Sequence, residues 1–167
     1  PTYLDELVAK RLTLFIIGWL ADYPDPHNFV YPFMHSSGTF SAFQKYSNPT
    51  VDELIEKGIT ESDQSKRVEI YKELQKIYYE DVPSVVLYQG LGRHYERTWV
   101  RGWYYNPIYP GLYFYALSKA PDAKNPDTFI EATIGEPETL DPAWAYDTAS
   151  AEIIFNIYDT LIFFDRE

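Results

Sequence analysis

The apolar positions of this chain change period several times along its length. Tyr3, Leu4, Leu7 and Val8 recur at i, i+1, i+4 and i+5, with Asp5 and Glu6 early and Lys10 and Arg11 late. That spacing predicts a short amphipathic helix whose charges suit its dipole. Residues 12–18 (LTLFIIG) show no alternation and predict a strand buried on both faces. Asp25-Pro26 has the form of an N-cap followed by proline at the first helical position, opening a helix to Tyr31 or Met34. Beyond a loop at 36–39, Asn48-Pro49 opens a helix holding Val51, Leu54 and Ile55, with Gly58 as its stop. Ser62-Asp63 opens the longest helical pattern, with Val68, Tyr71, Leu74, Gln75 and Tyr78 at helical spacing and Pro83 after it.

The second half reads differently. Residues 85–89 and 93–99 predict two strands around Gly90-Leu91-Gly92, and 113–117 and 129–134 predict two more. The stretch 120–126 (APDAKNP) is polar, holds two prolines and reads as a linker. Asp147 or Thr148 caps a helix to about Ile157, and 160–164 predicts a last strand. Loose alternation of helix and strand favours α/β packing over an all-β sandwich. Residues 12–103 are expected to form one body with Leu14, Ile16, Val68, Leu74, Val86 and Tyr88 in its core. The strands at 113–117 and 129–134 are expected in a single lobe, joined by the linker.

Bulk composition narrows the function. The 167 residues are a typical domain length. With 25 acids against 14 bases, the formal charge of −11 opposes nucleic-acid binding, which depends on neutralising phosphates. It opposes an anionic membrane surface as well. The longest near-apolar run, 12–21, is too short to span a bilayer, so the chain itself is not expected to insert. No basic-then-apolar secretion signal follows Pro1. Zero cysteines rule out disulfides and thiolate chemistry. The 16 Tyr, 10 Phe and 4 Trp argue against disorder, and they either fill a core or line a groove. Trp99, Trp103, Tyr104, Tyr105, Tyr109, Tyr113 and Tyr115 form an aromatic ladder that fits core packing better than a groove.

The chemistry concentrates at 18–26, Gly-Trp-Leu-Ala-Asp-Tyr-Pro-Asp-Pro. Two prolines stiffen a loop that delivers Trp19, Asp22 and Asp25 after an apolar run. An aromatic wall beside a carboxylate suits a ligand with a positive charge and an apolar body. The same residues also suit a structural loop with a packed tryptophan, and Asp25 suits a helix cap. His27, His35 and His94 are too scattered for a metal signature, no nucleophile elbow or phosphate loop appears, and neither catalysis nor a cofactor is indicated.

The segment 18–33 resembles the late part of family 5 extracellular solute-binding proteins, the oligopeptide and dipeptide receptors of ABC importers. The resemblance continues through Asn48-Pro49-Thr50-Val51-Asp52-Glu53-Leu54-Ile55, then 67–88, and closes at Trp99-Val100-Arg101-Gly102-Trp103-Tyr104-Tyr105-Asn106-Pro107. Residues 127–167, with Gly135-Glu136-Pro137-Glu138-Thr139-Leu140-Asp141-Pro142 and Asn156-Ile157-Tyr158-Asp159-Thr160-Leu161, resemble the start of the mature receptor in the same family. A C-terminal type of segment thus precedes an N-terminal type, and most of the middle is absent.

The resemblance implies part of a two-lobed α/β fold of the periplasmic binding-protein type, incomplete or permuted. Residues 1–105 correspond to the C-terminal-lobe segment, 106–119 to a return strand to the first lobe, 120–126 to a linker, and 127–167 to an N-terminal-type segment of that lobe. It implies a peptide ligand whose α-ammonium pairs with a partly buried Asp22, with Trp19 walling a side-chain pocket. Gly135 and Glu136 are implied at the border of the ligand groove. It further implies ABC permease subunits as partners, no enzymatic activity, and an extracellular or periplasmic, membrane-associated full-length protein. Two alternatives stand beside it: an oligosaccharide receptor of the same family, gripping through Trp19, Trp99 or Trp103, and a rearranged fragment without transport function.

Overall fold

Short polar side chains set the helix starts. The structure, a computed structural model, describes residues 2–109 and 111–164. Its chain divides into two compact units, Pro1–Gln89 and Gly90–Glu167. The first unit is helical: α1 (Thr2–Val8), α2 (His27–Met34), α3 (Thr39–Gln44), α4 (Pro49–Thr60) and α5 (Gln64–Asp81). Asn48 accepts from the Thr50 N–H at the start of α4, and Asp63 accepts from Ser65 and Lys66 at the start of α5, so each satisfies backbone donors that a helix start leaves unpaired.

The helix α4 packs on α5 and α2, and α2 packs on α3. Their shared core is Val30, Met34, Val51, Ile55, Ile70, Tyr71 and Leu74. Gly58 does not stop α4. It sits buried two residues before the end, where an added Cβ would come within 3.3 Å of Ile70 Cγ2 and of the Tyr71 ring. The glycine is there for close helix approach, which a sequence pattern cannot distinguish from a cap. The helix α3 begins at Thr39, the last residue of the expected loop, and has no counterpart among the elements expected from the sequence.

The expected strands do not form. Residues 12–18 and 85–89 have no ladder partners, with Leu14 at 88% and Ile16 at 74% exposure, and Val86 and Tyr88 at 82% and 84%. Val68 is exposed on α5, so of the six expected core residues only Leu74 is buried. The reason is physical. Apolar β-branched runs favour a strand only when a neighbouring strand receives their N–H and C=O groups, and no segment of the described chain does so.

In the second unit, β1 (Val100–Arg101) and β2 (Ser118–Lys119) pair antiparallel, Val100 opposite Lys119. Gly102 follows at φ +93°, where a Cβ would meet the Ala116 carbonyl oxygen at 1.9 Å. Residues 93–99 and 160–164 are not strands, 113–117 holds a 3₁₀ turn at Phe114–Ala116, and 129–134 is irregular. The Phe114 and Phe129 rings do lie 6.0 Å apart, so the two segments share this unit without pairing. The helix α6 (Thr148–Ile157) forms as expected, its Ser150 N–H held by Asp147. The described residues are therefore helix-rich with a two-stranded ribbon, and they do not form the α/β sheet expected from the sequence.

Candidate functional site

The loop 18–26 is held by a residue that its own sequence does not contain. Asn28, in the first turn of α2, is 7% exposed. Its Oδ1 accepts from the Trp19 indole N–H at 3.0 Å and from the Asp22 backbone N–H at 2.8 Å. Its Nδ2 donates to Asp22 Oδ2 at 3.2 Å. A buried amide must be paired, and this one is paired on both sides. Trp19 and Asp22 are thereby brought together, the indole half-buried and the carboxylate exposed. The expected partial burial of Asp22 is thus corrected: in its own unit the carboxylate faces solvent.

The Trp19 ring meets Phe40 edge-on at 5.4 Å, and Phe40 stacks on Phe33 at 4.5 Å. One end of the indole is fixed by a hydrogen bond and one edge by an aromatic packing contact, which defines the wall rigidly.

Below the loop, Asp25 Oδ1 accepts the His27 N–H at 2.8 Å and an Arg67 Nη2 donor at 2.8 Å. The acid therefore serves the start of α2, which begins at His27 with Pro26 as the capping position. Arg67 also donates from Nε to the Gly58 carbonyl at 3.0 Å and from Nη2 to the Tyr71 hydroxyl at 3.1 Å. Its guanidinium lies 4.9 Å from the Tyr71 ring centroid. The Arg67 hydrogen bond holds the Asp25 carboxyl below its ordinary range. Asp25 is an anchor.

His27 and His35 do share a face of α2, with Tyr31 between them. The rings are spaced 5.4 and 4.6 Å apart. Burial lowers the His27 pKa, the direction expected for an imidazole kept neutral. Among the described residues no group of three or more His, Cys, Asp or Glu side chains is placed to hold a metal ion.

Gly135 and Glu136 lie in the other unit and are both exposed. A Cβ at Gly135 would come 2.9 Å from Ala149 Cβ on α6, so close packing accounts for the glycine. The aromatic ladder does not form a buried core: Trp99, Tyr105 and Tyr115 are exposed, and Trp103, Tyr104, Tyr109 and Tyr113 are half-buried. Tyr109 packs on Phe155 at 5.3 Å and donates to the Glu152 carbonyl at 3.1 Å, and Tyr113 packs on Phe163 at 4.9 Å. A cavity of about 80 Å³ remains beside Trp103, Tyr104 and Tyr109. Ligand pockets for small molecules run to roughly 300 Å³ or more, so this one is too small for a peptide.

Asn28 was not legible as a site residue. Its signal was an uncharged amide three positions after Asp25, buried in the first turn of α2.

No family model matches the chain, and no solved structure matches it. Curated proteins do. Over 99 residues, 59% of this chain, it is 30% identical to the oligopeptide-binding protein OppA of Bacillus subtilis (strain 168), covering 17% of that protein. It is 31% identical over 97 residues to the probable di/tripeptide-binding protein 5 of Pseudomonas aeruginosa (strain UCBPP-PA14), covering 18% of it. It is 28% identical over 107 residues to the heme-binding protein A of Haemophilus influenzae, covering 20% of it. The chain spans well under two thirds of the length of these relatives. These relatives are named as binding proteins, not as enzymes. Over more than half of its length, then, this chain is similar to family 5 peptide-binding proteins, as its sequence blocks imply.

Proposed function

We propose that this chain is part of an extracellular or periplasmic receptor that captures peptides for an ABC importer. Asp22 takes the peptide's α-ammonium and Trp19 walls a side-chain pocket. The observation that carries this is the pairing of Trp19 and Asp22 through Asn28: an apolar wall and a carboxylate, held in fixed relation on one loop. The peptide names among the similar proteins support the ligand class. The chemistry fits too, since an ammonium donates three hydrogen bonds and a carboxylate only accepts.

Magnitudes qualify the geometry. An exposed ion pair contributes about 0–1 kcal/mol, whereas a charge-assisted hydrogen bond shielded from water contributes about 1.5–3 kcal/mol. Asp22 is exposed, so the larger figure requires the bound peptide to be covered. In a receptor of this kind the cover is the closure of one lobe upon another, with 1–105 belonging to one lobe and 106–119 and 127–167 returning to the other. Gly135 and Glu136 are further candidates for ligand contact. Permease subunits receive the loaded receptor at the membrane. No described helix is long and apolar enough to cross a membrane.

Titration calorimetry with trialanine and N-acetyl-trialanine tests the assignment. Saturable binding of trialanine, at least threefold tighter than its acetylated form, supports it. Equal affinity for the two peptides contradicts it and points to a neutral ligand, and no binding of either favours a fragment without transport function.

A further inference from the structure

We propose that Asn28 is the positioning residue of this site, setting the indole of Trp19 and the carboxylate of Asp22 as one unit. The inference rests on the reading of Asp22 and Trp19 as the ligand-gripping pair. The chain entering the loop, residues 12–18, forms no strand and is exposed at Leu14 and Ile16, so no sheet register fixes where the loop begins. From α1 the Tyr3 hydroxyl donates to the Ile16 carbonyl at 2.6 Å. Geometry is fixed from the other end. Asn28 is buried on α2, and α2 is itself tied down by the Asp25–Arg67 pair and by Val30 and Met34 in the core. From that fixed point one carboxamide reaches both ligand-facing side chains, at 3.0 Å and 3.2 Å.

No other side chain of this size does the same. The carboxamide oxygen accepts from two N–H groups while its nitrogen donates to a carboxylate. Aspartate at 28 keeps the acceptor side but sets a second carboxylate against Asp22, which disfavours ionisation of the pair. Leucine at 28 keeps the volume and loses every bond.

The experiment reads hydrogen exchange in the whole chain by NMR, with Asn28→Leu and Asn28→Asp. In wild type the Trp19 indole N–H and the Asp22 amide exchange slowly. In Asn28→Leu both should exchange at least tenfold faster, while the amides of Ile55 and Leu74 keep their protection. In Asn28→Asp, which keeps an acceptor oxygen, both should stay protected. Unchanged exchange in Asn28→Leu overturns the proposal. Should that variant fail to fold, loss of Trp19 protection in Asn28→Asp overturns it instead. Trialanine affinity adds the functional arm: Asn28→Leu should weaken it at least threefold and leave N-acetyl-trialanine unchanged. Equal wild-type affinity for the two peptides refutes the ammonium assignment alone, because the exchange arm still decides what Asn28 holds.

Discussion

Arg67 lies 2.8 Å from Asp25 across 42 positions of sequence, and this pair joins the start of α2 to α5. Arg67 loses three other contacts if truncated, to Gly58, to the Tyr71 hydroxyl and to the Tyr71 ring. Arg67→Met should therefore destabilise the first unit by about 1.5–3 kcal/mol, the range for hydrogen bonds to charged groups. The pH dependence has a definite sign. The folded Asp25 pKa is depressed, so its share of stability is present above the unfolded value of about 3.9 and is lost as pH falls through the lower folded value. Urea unfolding should show the widest gap between wild type and Arg67→Met near neutrality, narrowing below about pH 4. A gap that widens on acidification would mean that Arg67 does not stabilise the ionised acid.

Gly58 measures how closely α4 and α5 approach. A Cβ there already stands 3.3 Å from Ile70 and Tyr71, so the two extra carbons of Gly58→Val must displace one of them. Overpacking of this kind costs about 1–3 kcal/mol, more than the gain in helix propensity over glycine. Chemical denaturation should show that loss, and a neutral result would mean that the helices sit further apart.

Hydrogen exchange tests the departure from an α/β sheet. Amides of residues 12–18 and 85–89 should exchange at rates close to those of unstructured peptide, because they have no ladder partner. Amides in the middle of α4 and α5 should be protected by several orders of magnitude. Slow exchange at Ile16 and Val86 would show that these segments do pair.

What the sequence made legible was local. Asn48, Asp63 and Asp147 each cap a helix within three residues of themselves, so composition and spacing sufficed to place α4, α5 and α6. Leu14, Ile16, Val86 and Tyr88 failed because a strand's burial depends on distant partners, and hydrophobic character alone does not supply them. The site divides in the same way. Trp19 and Asp22 stand out as a motif on one loop, whereas Asn28 belongs to the next helix and becomes informative only when its three bonds are seen. At Gly135 the structure adds a packing constraint, since a Cβ there would come 2.9 Å from Ala149 Cβ.

The most direct measurement of the central claim is a four-way calorimetric cycle: wild type and Asp22→Asn, each against trialanine and N-acetyl-trialanine. Asp22→Asn removes the negative charge and keeps the shape, and acetylation removes the positive charge of the ligand's ammonium, its partner in the same contact. Each change alone should weaken binding by about threefold to tenfold or more, depending on how far the pair is shielded from water. Together they should cost little more than either one, because both delete a single contact. Losses that add in full would contradict the assignment of the peptide ammonium to Asp22.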